Sequence, residues 1–158
     1  MAAEMHGLRR DRGAPDMKTL YRLENGTMSS VTFPDLQFAL RIVLAVVFVG
    51  AGITHFVPPV ARTMRAMIPP RLRTTGLLSP GNLVILTGVC EIAGGLGLIY
   101  PPTIVTAGVC LIVFLAAVFP ANAFAARYPD RFGVAAIPLV PRLIGQLVLM
   151  GLIVVAIV

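Results

Sequence analysis

The stretch Asn82-Leu-Val-Ile-Leu-Thr-Gly-Val-Cys-Glu91-Ile-Ala-Gly-Gly-Leu-Gly-Leu-Ile-Tyr100 has the length that a helix needs to cross a bilayer, roughly 20 residues, and it holds one charged residue, Glu91, near its middle. A charge at the centre of a spanning helix costs about 2.5 to 3.5 kcal/mol on insertion scales, so a stretch that keeps one is a candidate functional site. At 100° per residue, Thr87, Gly88, Glu91, Gly94 and Gly95 share a face about 120° wide. Small residues around a carboxylate allow a second helix to come close and bring it a partner.

The rest of the chain argues for the same environment. Of its 158 residues, 57% are hydrophobic and the mean hydropathy is +0.88, too apolar for one water-soluble domain of this size. The formal net charge is +6, which fits loop charges that set membrane topology. No Lys/Arg cluster alternates with aromatic residues, which argues against nucleic acid as a partner. Cys90 and Cys110 both lie inside apolar runs and match no zinc spacing, so they read as small buried hydrophobes.

The periodicity predicts an all-α, polytopic membrane protein built as a four-transmembrane-helix bundle. The expected helices cover 36–57, 82–100, 103–126 and 142–158, within a membrane domain at 35–158. Residues 1–34 are polar, hold four of the seven acids and lack an apolar segment. They read as a disordered tail and not as a cleaved signal. Met17 and Met28 offer alternative translation starts to Met1. Pro58-Pro59 stops the first helix, and residues 58–81, with four Arg and five Pro, form a connecting loop. Apolar residues at 60, 64, 67 and 68 with Arg62 and Arg65 between them suit a short interfacial helix; an exposed turn fits equally. Pro120, near the far end of the third helix, is expected to free backbone carbonyls and kink it.

Four alternating helices assign every loop to a side. The tail, the Pro101-Pro102 turn and the C-terminus share one side, and the loops at 58–81 and 127–141 share the other. Near the bilayer the loop side carries Arg62, Arg65, Arg71, Arg73, Arg127, Arg131 and Arg142, against Lys18, Arg22 and Arg41 on the turn side. The positive-inside rule then makes the loop side cytoplasmic. The location is the cell (plasma or inner) membrane, and the lipid bilayer is the first partner.

Depth gathers the polar residues. His55, Asn122, Arg142 and Gln146 belong to the loop-side ends of their helices. Glu91 lies about 15 Å deeper. Arg41 enters from the turn side on the face of the first helix that carries Gly52 and His55. If polar faces turn inward, Glu91, His55, Asn122, Arg142, Gln146 and Arg41 line one pocket with Glu91 at its floor. Gly52, Gly88, Gly94 and Gly95 are the helix-packing positions. Glu91 is read either as a structural partner that locks the bundle or as a proton-titrating or ligand-binding group. No second carboxylate or His pair stands ready for a metal. The set supports no chemistry unaided beyond proton transfer, so the chain is not expected to be catalytic alone.

These residues resemble a known family. Gly52-Ile-Thr-His55-Phe56 with Pro58, and Met67-Ile-Pro69-Pro70, are similar to the first-helix end and loop of the DoxX-like membrane proteins. Gly88-Val-Cys-Glu91-Ile-Ala-Gly-Gly95-Leu-Gly-Leu resembles their second helix, Val118-Phe-Pro120-Ala-Asn122 the end of their third, and Pro141-Arg142 with Gln146 the entry to their fourth. The likeness spans about residues 36–158. It departs at Pro70-Arg71, where that family would have an aromatic residue. The resemblance implies a four-helix integral membrane subunit associated with quinone-linked or oxidative-stress redox complexes. It further implies quinone as the cofactor to test for, and a soluble redox protein or a second copy as partner. The alternatives are a protein that binds a quinone or another small lipophilic molecule, and a small transporter, for which no inverted repeat is visible.

Overall fold

In a computed structural model the described residues are 16–18 and 32–158. The chain divides into two units, Met1–Thr32 and Phe33–Val158. In the first unit the Lys18 amide donates to Asp16 Oδ1 at 3.3 Å. The expectations of a disordered tail and of starts at Met1 or Met28 fall outside the described residues, and Met17 alone of the three lies within them.

The second unit is all-α, and among its described residues there is no strand. Its helices are α1 (Phe33–Thr54), α2 (Pro58–Met67), α3 (Pro80–Gly97), α4 (Ile104–Ala126), α5 (Pro129–Phe132) and α6 (Leu139–Ile157), with short 3-10 turns between them. Four of these, α1, α3, α4 (with its leading turn from Pro101) and α6, are long and apolar enough to span a bilayer. They form a closed four-helix bundle in which α1 packs on α3 and α6, and α4 packs on α3 and α6. Leu44 and Phe48 of α1, Leu98 after α3, Ala107, Leu111 and Leu115 of α4, and Ile153 and Ala156 of α6 form the core. Outward faces are apolar as well, with Val43, Val46, Val47, Leu86, Val89, Val109, Val113, Leu147 and Val148 exposed. Helices apolar on every side belong in hydrocarbon, so this is a multi-pass membrane protein.

Prolines account for where the boundaries differ from the expected ones. In the first turn of a helix the backbone N–H has no partner, so proline is tolerated there. Hence α1 begins at Phe33, with Pro34 in its first turn, and α6 at Leu139, with Pro141 in its first turn. Likewise α3 begins at Pro80, where the Ser79 side chain accepts from the Asn82 amide. The first helix ends at Thr54 rather than at 57, because Pro58 bars Val57 from the helical region; Val57 is extended at φ −80° and ψ 117°. The chain tightens before the break, and the amides of His55, Phe56 and Val57 donate to the carbonyls of Gly52, Ile53 and Thr54.

Of the two readings of the loop after α1, the helix holds. Helix α2 buries Ala61 and Met67 and exposes Arg62 and Arg65. Ala61 and Ile68 pack with Val84 of α3, and Met67 packs with Ala125 of α4 and Phe132 of α5. The helix therefore lies over the loop-side ends of two spans. Arg73 folds back to close its C-terminus, donating from Nε to the Ile68 carbonyl and from a terminal nitrogen to that of Ala66, each at 2.9 Å. Helix α4 runs unbroken through Pro120 to Ala126. At the turn side, Gln37 of α1 donates to the Val155 carbonyl of α6 at 3.0 Å, and Thr103 donates to the Gly97 carbonyl at 2.9 Å.

Candidate functional site

Backbone proximity builds the site first. A Cβ added at Gly52 would stand 2.8 Å from the Gly88 carbonyl oxygen and 2.7 Å from Ile92 Cγ1, and one at Gly88 would stand 2.7 Å from His55 Cβ. Only glycine allows α1 and α3 to meet this closely, and the meeting sets His55 beside α3. Gly95 continues the same seam against Ala45 and Phe48, whereas Gly94 faces Leu111 of α4. The small-residue face of α3 is thus shared between two neighbours.

His55 then makes three contacts with α3. Its Nε2 lies 3.1 Å from Glu91 Oε2, and each side chain is only 12–13% exposed. Its Nδ1 lies 3.0 Å from the Val84 carbonyl oxygen and 2.9 Å from Thr87 Oγ1, whose hydroxyl donates to the same carbonyl at 2.8 Å. A carbonyl only accepts, so Nδ1 carries a hydrogen. The Nε2 to Oε2 approach is close, yet Oε2 has no hydrogen-bond partner of good alignment. The two side chains form an ion pair when the imidazole is protonated, and that pair is neutral overall.

A second polar pair faces it from α4 and α6. Arg142 donates to Asn122 Oδ1 and to the Ala135 carbonyl at 2.6 Å. Its Nε is buried without a partner. Pro120, two residues before Asn122, leaves the backbone there without one amide donor.

Both pairs line one cavity of about 660 Å³ at the loop-side end of the bundle, within the size range of small-molecule sites. Its wall is mostly apolar, with Met64, Met67, Leu72, Phe114, Leu115 and Val118 among its residues, and α2 forms part of its cover. His55, Glu91, Asn122 and Arg142 are therefore brought together, as depth along the helices suggests. Gln146 and Arg41 are not. Gln146 is half-buried one turn below Arg142, outside the lining. Arg41 stays at the turn-side end with its Nε buried and without a partner; about 21 Å of helix separates it from His55. Cys90 and Cys110 are exposed rather than buried. Cys90 lines the cavity beside Glu91, and Cys110 does not.

Thr87, which the helical spacing already sets on the Glu91 face, and the Val84 carbonyl complete the site. The signal for Thr87 is its place four residues before Glu91 on the same face. The carbonyl carries no signal in the sequence. No group of three or more potential metal ligands gathers among the described residues.

A family described as Domain of unknown function (DUF8561) matches residues 44–157. The chain belongs to this family. The matched span contains His55, Glu91, Asn122 and Arg142, the second half of α1 and the whole of α3, α4 and α6. No curated protein and no solved structure matches the chain.

Proposed function

We propose that the protein binds a small lipophilic molecule in the loop-side cavity, with the molecule's polar end among His55, Glu91, Asn122 and Arg142. One observation carries this reading: His55 just past α1, Glu91 of α3, Asn122 of α4 and Arg142 of α6 all line a single, mostly apolar cavity. Polar groups buried only to lock a bundle need nothing beyond each other. Here two separate pairs border a space large enough for a ligand, and the thiol of Cys90 borders it too.

The test is binding-dependent protection of Cys90. Purified full-length protein, carrying Cys110→Ser, is incubated with a series of lipophilic probes and then treated with a maleimide. Slower alkylation of Cys90 with at least one saturating probe is expected. Unchanged alkylation with neutral quinone analogues, lipophilic acids and their esters alike would remove the reading.

Within this class, a neutral quinone is the ligand that a DoxX-like role would take, and a lipophilic anion is its alternative. Histidine and glutamate move protons and not electrons, so a quinone-linked role makes the chain a subunit that takes electrons from a partner. Arg62, Arg65 and Arg71, exposed on the loop side, supply a basic surface for such a soluble redox protein, and the positive-inside rule puts that surface in the cytoplasm. Crosslinking in cells followed by purification in mild detergent tests it. Recovery of the subunit without any redox protein would leave ligand binding as the whole function.

A further inference from the structure

The charges around the cavity restrict what it takes. Glu91 and Arg142 are the full charges in its lining, with His55 between neutral and cationic. Glu91 has a partner at 3.1 Å in His55, and with the imidazole protonated that ion pair contributes no net charge. Arg142 is different. Both acceptors it holds, Asn122 Oδ1 and the Ala135 carbonyl oxygen, are neutral. Among the described residues no carboxylate forms an ion pair with it. Asp130, the acid of the 127–141 loop, is exposed. Two of its five donors are used, and its Nε is buried with no protein partner. Arg142 is half-buried, and a guanidinium held among neutral acceptors keeps a positive charge that no carboxylate offsets and that an anion entering the cavity would meet.

We propose that the ligand is a lipophilic monoanion whose charged end sits on Arg142, with Asn122 holding the guanidinium in place and the apolar wall taking the tail. This inference rests on the proposed cavity binding and adds the charge of the ligand. The planar guanidinium fork suits a carboxylate or a phosphate oxygen pair better than an ammonium would, and the neutral His55–Glu91 pair at the deep side does not repel the anion. Carboxylate and phosphate diester heads share this chemistry.

The experiment compares cis-parinaric acid with its methyl ester, two fluorescent probes that differ only in the charge of the head. Both are titrated into full-length protein in a non-ionic detergent near neutral pH. Saturable one-to-one binding of the acid is expected, with the ester weaker by about tenfold, the scale of a charge-assisted contact. Arg142→Gln should reduce binding of the acid by a similar factor and so narrow the gap between acid and ester, and Arg142→Lys should restore much of that gap. Retained ester binding reports that the variant is folded, and the wild-type comparison of acid with ester needs no variant. Displacement of the acid by phosphatidylglycerol in mixed micelles would mark the anion as a bilayer phospholipid. Failure to displace it would mark a free lipophilic acid, and the inference stands in either case. Equal binding of acid and ester, or competition by a neutral quinone analogue as strong as by the acid, would overturn the charge assignment while cavity binding survives. No binding by any probe, with Cys90 unshielded, would remove both.

Discussion

His55 lies 3.1 Å from Glu91 across a helix contact that exists because Gly52 and Gly88 carry no side chains. The functional pair and the packing seam are thus one structure. A change in the seam moves the pair, and a change in the pair leaves a polar group stranded in an apolar site.

The pair itself gives the first expectation. Glu91→Gln keeps a side chain that can donate to the unprotonated Nε2 of His55, whereas Glu91→Ala keeps nothing. Leaving a buried polar group unpaired costs about 1 to 3 kcal/mol. Thermal unfolding in detergent should therefore show the alanine variant less stable than the glutamine variant by an amount in this range. Equal melting temperatures would show that the contact contributes nothing to the fold.

Gly88→Ala tests the seam. Its Cβ would stand 2.7 Å from His55 Cβ and 3.0 Å from the Gly52 carbonyl oxygen, and a backbone atom cannot move aside alone. Overpacking of this kind costs typically about 1 to 3 kcal/mol. The variant should unfold earlier than wild type and, in addition, lose protection of Cys90 by the bound probe. Gly145→Ala, where an added Cβ meets nothing within 4 Å, is the control that should change neither.

Asn122 and Arg142 give a third. Asn122→Leu removes the acceptor of one guanidinium donor and should destabilise the protein by about 1 to 3 kcal/mol through the donor left unsatisfied. Asn122→Asp provides an anion instead. It should recover stability and weaken binding of an anionic probe, two changes of opposite sign that simple packing damage does not produce.

The two cysteines give a fourth. Maleimides react with the thiolate, which forms only where water reaches. Cys90 lines the cavity at the loop side, while Cys110 is exposed on α4 outside it. A water-soluble maleimide should therefore label Cys90 about tenfold faster than Cys110 in reconstituted vesicles, since the reagent itself stays out of hydrocarbon. Comparable rates, read by mass spectrometry of the peptides, would argue that water does not enter from the loop side.

Helix α2 gives a fifth. Arg73→Ala removes the two hydrogen bonds that close its C-terminus. Amide exchange across Ala61–Met67 should speed up in this variant and stay unchanged in the spans, because only the cover loses its clasp.

Composition and periodicity alone carry the four spans and the side on which the polar residues gather. A bilayer admits one kind of element here, the apolar helix, so pattern suffices to find it. Depth is a property of a single helix, which is why His55, Asn122 and Arg142 can be set at one end before any packing is known. Rotation is different, because it depends on which neighbour each helix meets. That is why Gly94 and Gly95, adjacent in sequence, face α4 and α1 respectively, and why Gln146 falls outside the cavity, whereas Arg41 falls outside it by depth. Tertiary structure also decided that α2 is a helix lying over α3 and α4, since an amphipathic segment of ten residues needs a surface to cover before its apolar face gains anything by folding. Glu91 stood out in the sequence as a costly charge in an apolar run. Only the approach of two helices at Gly52 and Gly88 made it one half of a neutral pair, and left Arg142 as the charge in the cavity without a counter-ion among the described residues.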